Sequence, residues 1–255
     1  MNVCLLIPCF DHGASLHEVL DGASGLRLPC IVVDDGSGPE TQAVLRELVR
    51  RFPWLRVERR DRNGGKGAAL KTGYRLAASL GYSHALQVDA DGQHDSEALP
   101  RLLEAARGAP EALILGAPVL EGAPAIRRYG RLISCVWAWI ETCSLEIRDP
   151  LCGLRCIPLA ATLRVLERVR CGDRMDFDPE LAVRLVWQGV PVINVAARVR
   201  YPEGGVSHFD VWRDNVRISW LHARLFCGML VRAPWIVRRR WSRRRGLPPG
   251  QGAAP

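Results

Sequence analysis

The sequence has no run of 18 uncharged apolar residues anywhere in its 255 positions, which excludes a membrane-spanning helix of ordinary length. The apolar opening, Val3 to Phe10, is too short for a secretory leader and has no basic flank, so no leader is expected. Nine cysteines are present but no CxxC pair, and no histidine stands near them at zinc-ligand spacing, so the expectation is buried, reduced thiols in a cytosolic protein. The GxxxxGK[ST] spacing of a P-loop is missing, and only Gly13 follows the first apolar run where a GxGxxG dinucleotide motif would need three glycines. Lysine is nearly absent as well: Lys66 and Lys71 are its two occurrences among 35 cations. The net charge of +8 is concentrated in Arg238, Arg239, Arg240, Arg243, Arg244 and Arg245, which leaves about +2 for the rest.

What is present is a regular alternation of short Val/Ile/Leu-rich runs with helical-period segments. Strands are expected at Val3–Pro8, Cys30–Val33, Leu55–Glu58, His84–Val88 and Ala112–Leu115. Helices are expected at Ser15–Ala23, Thr41–Arg51, Ala68–Leu80 and Ser96–Ala106. Such βα alternation predicts an α/β fold, a mostly parallel sheet flanked by helices, with ligands collecting at the carboxyl ends of the strands. Beyond Gly116 the pattern changes to a long aromatic helix at Arg127–Glu146, a strand at Gly153–Ile157, a helix at Pro179–Gln188 and a strand at Val190–Val195. One or two amphipathic helices follow at Val211–Val237, and a Gly/Pro/Ala-rich end at Gly246–Pro255 is expected to be disordered.

Three motifs fall at expected strand ends. Asp34 and Asp35, followed by Gly36-Ser37, end the second strand; a carboxylate there accepts hydrogen bonds from a nucleotide's base or ribose, or caps a turn. Gly64-Gly65-Lys66-Gly67 opens the next helix, and a glycine-rich helix start carrying a lysine favours an anion. Asp89-Ala90-Asp91-Gly92-Gln93 ends the fourth strand. Alternate residues of an extended segment point the same way, so Asp89 and Asp91 can converge on one ligand. Their hard oxygens suit Mg²⁺ or Mn²⁺, and Gln93 adds a third oxygen. A metal there would bridge a diphosphate and neutralise charge as a sugar leaves.

In this order and at these strand ends, the three motifs resemble family 2 glycosyltransferases, in the branch of dolichyl-phosphate mannose synthases and polyprenyl-phosphate glycosyltransferases. The resemblance covers about residues 1 to 210 and implies a GT-A-type nucleotide-sugar-binding fold acting by inversion. It places Pro8, Phe10, Val33 and Asp35 in the nucleotide pocket and puts Asp89, Ala90, Asp91 and Gln93 on metal and diphosphate; Lys66, from its anion-favouring helix start, joins the nucleotide-sugar-binding candidates. Asp149-Pro150-Leu151-Cys152-Gly153-Leu154-Arg155 is similar to the segment that shapes the acceptor side in that family, which makes Asp149 and Arg155 acceptor candidates. Three positions depart from the mannose synthase pattern. His12 replaces a glutamate, Gly116-Ala117-Pro118-Val119 lacks an arginine, and Ser207-His208 replaces a Ser-Lys pair, so mannose and dolichyl phosphate are not carried over. The segment Tyr201–Phe209 is similar instead to bacterial members associated with aryl-polyene-type lipids.

Several residues keep two readings. Arg127, Arg128 and Arg131 are either acceptor-phosphate contacts or solvated charges on a helix face. His208 is either a late-arriving ligand of the metal or diphosphate, or an ordinary loop residue. Asp176, Asp178 and Glu180 gather at a helix start; they either complement the helix dipole or supply a general base, with Asp178 the first choice. A hydroxyl acceptor requires such a base, whereas a phosphate acceptor is already anionic. Arg213, Arg217, Arg224 and Arg232 fall near helical spacing among Trp212, Trp220, Leu225, Phe226 and Trp235, and the arginine cluster follows. This is the pattern of residues 211–245 lying on a membrane surface. No base-reading motif accompanies the charge, so nucleic acid is not expected as a partner.

The sequence thus predicts an inverting, metal-dependent transferase of residues 1–210, cytoplasmic and peripheral on the inner face of the cell membrane. It would move sugar from a nucleotide-sugar donor to a lipid-type acceptor or a polyprenyl phosphate. A sugar nucleotidyltransferase would need a Gly-rich, cationic loop after the first strand, where Pro8-Cys9-Phe10-Asp11-His12 stands. The alternative is a non-catalytic nucleotide-sugar-binding module, against which the intact Asp89/Asp91 pair argues.

Overall fold

The computed structural model describes residues 1–119, 125–199 and 211–244, the side chains of 125–127, 211, 240 and 242–244 excepted. Seven strands form one sheet in the order β3-β2-β1-β4-β6-β5-β7. The first half is the expected alternation: β1 (Val3–Cys9), α1 (Gly13–Ala23), β2 (Cys30–Asp34), α2 (Pro39–Arg51), β3 (Leu55–Arg59), α3 (Lys66–Ser79), β4 (His84–Gln87), α4 (Ala98–Gly108) and β5 (Leu113–Val119). β1, β2, β3 and β4 pair in parallel.

The second half contains α5 (Ala125–Thr142), β6 (Arg155–Pro158), α6 (Leu159–Arg168), α7 (Phe177–Gln188), β7 (Val192–Arg198) and α8 (Val211–Arg244). β6 inserts between β4 and β5 and runs antiparallel to both, while β7 extends the edge parallel to β5. Helix α6 has no counterpart in the sequence reading. Of its apolar residues only Leu159, Ala161 and Val165 are buried, and Pro158 at its N-cap reads as the end of a strand rather than the start of a helix. The amphipathic C-terminal stretch is a single helix of 34 residues with Pro234 inside it.

Period-2 alternation divides the sheet's side chains between two cores. Cys4 and Leu6 of β1 with Val33 of β2 meet α3, α6, α7 and α8 on one face, while Leu5 and Ile7 with Val32 meet α1, α2 and α4 on the other. All nine cysteines are free, and seven are buried, as expected of reduced core thiols. Among the described residues no helix is long and apolar enough to cross a membrane.

Candidate functional site

A cleft of about 500 Å³ opens at the carboxyl ends of β1, β2 and β4. Pro8, Phe10, Asp35, Lys66, Ala90 and Gln93 are among its walls, with both Asp89 and Asp91. The sequence motifs therefore converge in space as the strand-end rule requires. Val33 is fully buried in the core beneath them and does not line the cleft.

Each wall has a local cause. Gly65 has φ +99°, where an L side chain is strained, and a Cβ there would meet the Asp173 carbonyl at 2.7 Å. That backbone lets the amides of Gly64 and Gly65 donate to the Asp35 carboxylate, at 3.1 and 2.7 Å. Arg60 also donates to Asp35, so this buried carboxylate clamps the glycine loop across the tip of β2. Asp34 does similar work one residue earlier, accepting from the Ser37 amide at 2.9 Å and from Arg59.

Lys66 opens α3 and points into the site. Its Nζ lies 2.6 Å from Asp89 Oδ1 and 2.9 Å from Asp178 Oδ2. Burial favours the neutral amine, but Asp178 and Asp89 outweigh it and hold the ammonium above the ordinary lysine range. Burial likewise disfavours the Asp89 carboxylate, yet Lys66 and then His94 win, so its pKa falls below the usual carboxylate range. His94 stands behind the pair, its Nε2 3.8 Å from Asp89 Oδ2. Gly153 is required on the far side, because any side chain there would run into the Asp89 carboxylate.

Asp91 sits in the turn after β4 and accepts the Gln93 amide at 3.0 Å. Among the described residues no three His, Cys, Asp or Glu side chains gather as a metal cage. The oxygens of Asp91 and Gln93, with the outer edge of Asp89, fit a hard cation that takes one or two carboxylates and completes its shell with substrate phosphates and water. Cys9, also on the wall, is pushed up to about 12, chiefly by burial and further by Asp34 and Asp11, and supplies no thiolate nucleophile near neutrality.

The three acidic residues at the start of α7 are not gathered in the cleft. Asp178 is buried, paired with Lys66, 3.5 Å from Arg155 Nη1, and accepts from the Gln87 side-chain amide at 3.3 Å. Glu180 is fully buried against the Gly172 amide at 2.8 Å, Arg184 at 2.7 Å and Arg224 at 3.6 Å. Asp176 accepts from the Arg174 amide at 3.2 Å and packs over Gly172. Arg155 is fully buried and donates to the carbonyls of Pro150, Cys152 and Asp178, so it ties the Asp149–Arg155 loop to α7.

Arg131 and Asp149 form an ion pair in a second groove of about 540 Å³, whose walls also include Arg128, Arg148, Tyr129 and Leu132. This groove runs along α5 beside the ends of β5 and β7. The Arg127 side chain, His208, the segment 201–209 and the end 246–255 lie outside the described residues.

Residues that sequence reasoning left out of the site are His94 behind Asp89, Asn63 and Arg174 on the cleft wall, and the first two turns of α8, where Arg213, Asp214 and Arg217 reach the cleft. No periodic signal could bring α8, more than 100 residues from β4 along the chain, to this wall. Among the described side chains, three further cations of α8 turn toward the protein. Arg224 reaches Glu180 at 3.6 Å. Arg232 lies 5.0 Å from the Trp187 ring centroid, and Arg239 donates to the Val186 and Trp187 carbonyls that end α7, the latter at 2.9 Å. Exposed large apolar residues on α8 include Trp212, Val216, Trp220, Leu230, Val231, Val237 and Trp241, and on α5 Tyr129, Leu132, Ile133, Val136 and Ile140.

The family model described as Glycosyl transferase family 2 matches residues 4–146. The chain is 30% identical to the polyprenol monophosphomannose synthase of Mycolicibacterium smegmatis, over 85% of this chain and 79% of that protein. It is 29% identical to the dolichol-phosphate mannosyltransferase of Pyrococcus furiosus, over 60% of this chain and 45% of that one. The chain therefore spans less than half of the archaeal relative. Among solved structures, a mannosyltransferase from Pyrobaculum calidifontis in complex with GDP-mannose and Mn²⁺ superposes with a TM-score of 0.58 at 16% identity, covering 93% of this chain and 72% of that one. At that identity the likeness is one of fold.

Proposed function

Since the chain belongs to glycosyl transferase family 2 and has the GT-A fold, we propose that it transfers a sugar from a nucleotide-sugar donor to a polyprenyl-phosphate-type acceptor, with inversion. The observation that carries the choice of acceptor is the state of the α7 carboxylates. Asp176, Asp178 and Glu180 are each engaged by partners within the protein. A hydroxyl acceptor needs a base within reach of its proton; a phosphate monoester attacks as an anion and needs none. The names of the bacterial and archaeal relatives agree with that acceptor class, and GDP-mannose, the ligand of the Pyrobaculum mannosyltransferase, is the first donor to try.

In this reading the nucleotide lies over Pro8, Phe10 and the Asp35-clamped glycine loop. The diphosphate faces Asp91 and Gln93, which would hold Mg²⁺ or Mn²⁺ with the edge of Asp89. When bound, the ion neutralises charge on the departing nucleoside diphosphate. Lys66 fixes Asp89 in place and keeps two neighbouring carboxylates from repelling an anionic ligand. An acceptor oxygen attacks the anomeric carbon from the side opposite the diphosphate; one C–O bond forms as the other breaks, and the electron pair leaves on the diphosphate. The acceptor's phosphate belongs in the α5 groove beside Arg128 and Arg131. The exposed stripes of α5 and α8 support seating this face on a lipid surface, where aromatic residues favour the headgroup level.

The test is product analysis with Mn²⁺, a panel of GDP- and UDP-sugars and a short-chain polyprenyl phosphate. Formation of a polyprenyl-phosphate sugar is expected. Transfer to hydroxyl lipids alone would overturn the acceptor assignment.

A further inference from the structure

The first two turns of α8 form part of the wall of the donor cleft. Arg213 and Arg217 are one helical turn apart, so they project from the same side of the helix, and both line the cleft that holds Lys66, Asp89 and Asp91. Between them lies Asp214, 4% exposed, which accepts from Arg217 Nη1 at 2.9 Å. That bond fixes the direction of the Arg217 guanidinium while leaving its side chain 40% exposed. The Arg213 residue is exposed as well. The helix beneath them is anchored: Ile218, Leu221, Leu225 and Met229 are buried against the body, and Arg239 is bonded to the end of α7.

Two other charged features of the cleft are already committed. Lys66 is held between Asp89 and Asp178, and Asp35 is saturated by Arg60 and two backbone amides. The second groove has its own cations in Arg128, Arg131 and Arg148, so an acceptor phosphate there does not require α8. Guanidinium forks match phosphate oxygens in geometry and charge.

We propose that Arg213 and Arg217 form the outer phosphate-binding wall of the donor site and grip the diphosphate of the nucleotide sugar from the side opposite Asp91. This rests on the glycosyltransferase reading above and adds residues that the family match at residues 4–146 does not reach. It also ties donor binding to the docking of α8.

The test is titration calorimetry of the full chain with Mn²⁺, using GDP, UDP and the corresponding nucleosides, on the wild type, Arg213→Gln, Arg217→Gln and Arg213→Lys. Arg213→Gln is the primary variant because its side chain is exposed; Arg217→Gln also removes the guanidinium from which the buried Asp214 accepts. Each glutamine variant is expected to weaken nucleoside diphosphate binding on the order of 10-fold, the scale of a hydrogen bond to a charged group, with nucleoside binding unchanged. Arg213→Lys is expected to restore part of the loss, because a point charge replaces a fork. Unchanged diphosphate binding in Arg213→Gln, or equal loss for nucleoside and diphosphate, overturns the proposal while the enzymatic reading stands. A raised KM for a short-chain isoprenyl phosphate with unchanged GDP and UDP binding assigns the pair to the acceptor and also overturns it. A wild-type chain that binds neither diphosphate defeats both readings.

Discussion

Lys66 Nζ lies 2.6 Å from Asp89 Oδ1 at the floor of the cleft, and the same ammonium reaches Asp178 at 2.9 Å. One cation from the glycine-loop helix thereby joins the β4 turn to α7. Lys66→Met removes it and leaves two carboxylates close together in a largely buried place. The variant is expected to lose about 3–5 kcal/mol of unfolding free energy, the range for breaking a buried pair from one side, as measured by urea denaturation. Wild-type stability in Lys66→Met would show that the bridge does not hold the site together.

Asp91 is the carboxylate of the β4 turn not tied to Lys66, so its charge is available to a cation and diphosphate. Asp91→Ala should cost on the order of 10²-fold or more in turnover, the scale of losing a major electrostatic stabiliser, and turnover should vanish in excess EDTA. Steady-state rates across a Mn²⁺ titration check both. Full activity without divalent metal would contradict this use of the turn.

The α7 carboxylates separate two acceptor chemistries. With a phosphate acceptor, Asp176→Asn should leave the shape of the pH–rate profile unchanged, and any loss in Asp178→Asn or Glu180→Gln should track lost stability. A loss of 10²–10⁴-fold with a flattened acidic limb, in a variant that melts like the wild type, would identify a general base.

Much of this was legible in the sequence, for local reasons. The first-half alternation follows from apolar periodicity within short windows, and the strand-end rule places the motifs at one edge of the sheet without knowledge of contacts. Long-range events were not legible. β6 was read as a strand, but nothing in Arg155–Pro158 says that it inserts antiparallel between β4 and β5. Arg155 matched an acceptor-side motif, yet burial turns it into a tie between the loop and α7. The arginines of α8 look like one cationic edge at helical spacing. Packing distributes them: Arg217 goes to the cleft, Arg224 to Glu180, Arg232 to the Trp187 ring and Arg239 to the end of α7.

Helix α8 is joined to α5 by a buried pair in which Glu141 Oε1 and His222 Nδ1 lie 2.8 Å apart. Burial raises the Glu141 carboxyl above its ordinary range, and His222 offsets this only in part. A carboxyl with a folded-state pKa above its unfolded value favours the fold most at low pH. Its contribution should fall as pH rises out of the ordinary carboxyl range and through the higher folded value. Urea unfolding between pH 4 and 7.5 should show this decline in the wild type and a flatter dependence in Glu141→Gln. Equal slopes would remove the pair as a source of pH dependence.

The lipid-facing role proposed for α8 predicts co-sedimentation with anionic vesicles and less with neutral ones. Trp212 and Trp220 are 79% and 67% exposed and lie two turns apart on one side of α8. Replacing both by serine should weaken anionic-vesicle binding about 10-fold, by removing apolar area from the interface. Unchanged binding would move the contact elsewhere.

The central claim is sugar transfer to a phosphate-bearing lipid, and the most direct measurement is mass analysis of lipid products formed from GDP-mannose and other nucleotide sugars with Mn²⁺ and polyprenyl phosphate. The account predicts one new polyprenyl-phosphate sugar of inverted anomeric configuration, absent with Asp91→Ala. Transfer only to a hydroxyl acceptor, or a product of retained configuration, would contradict it.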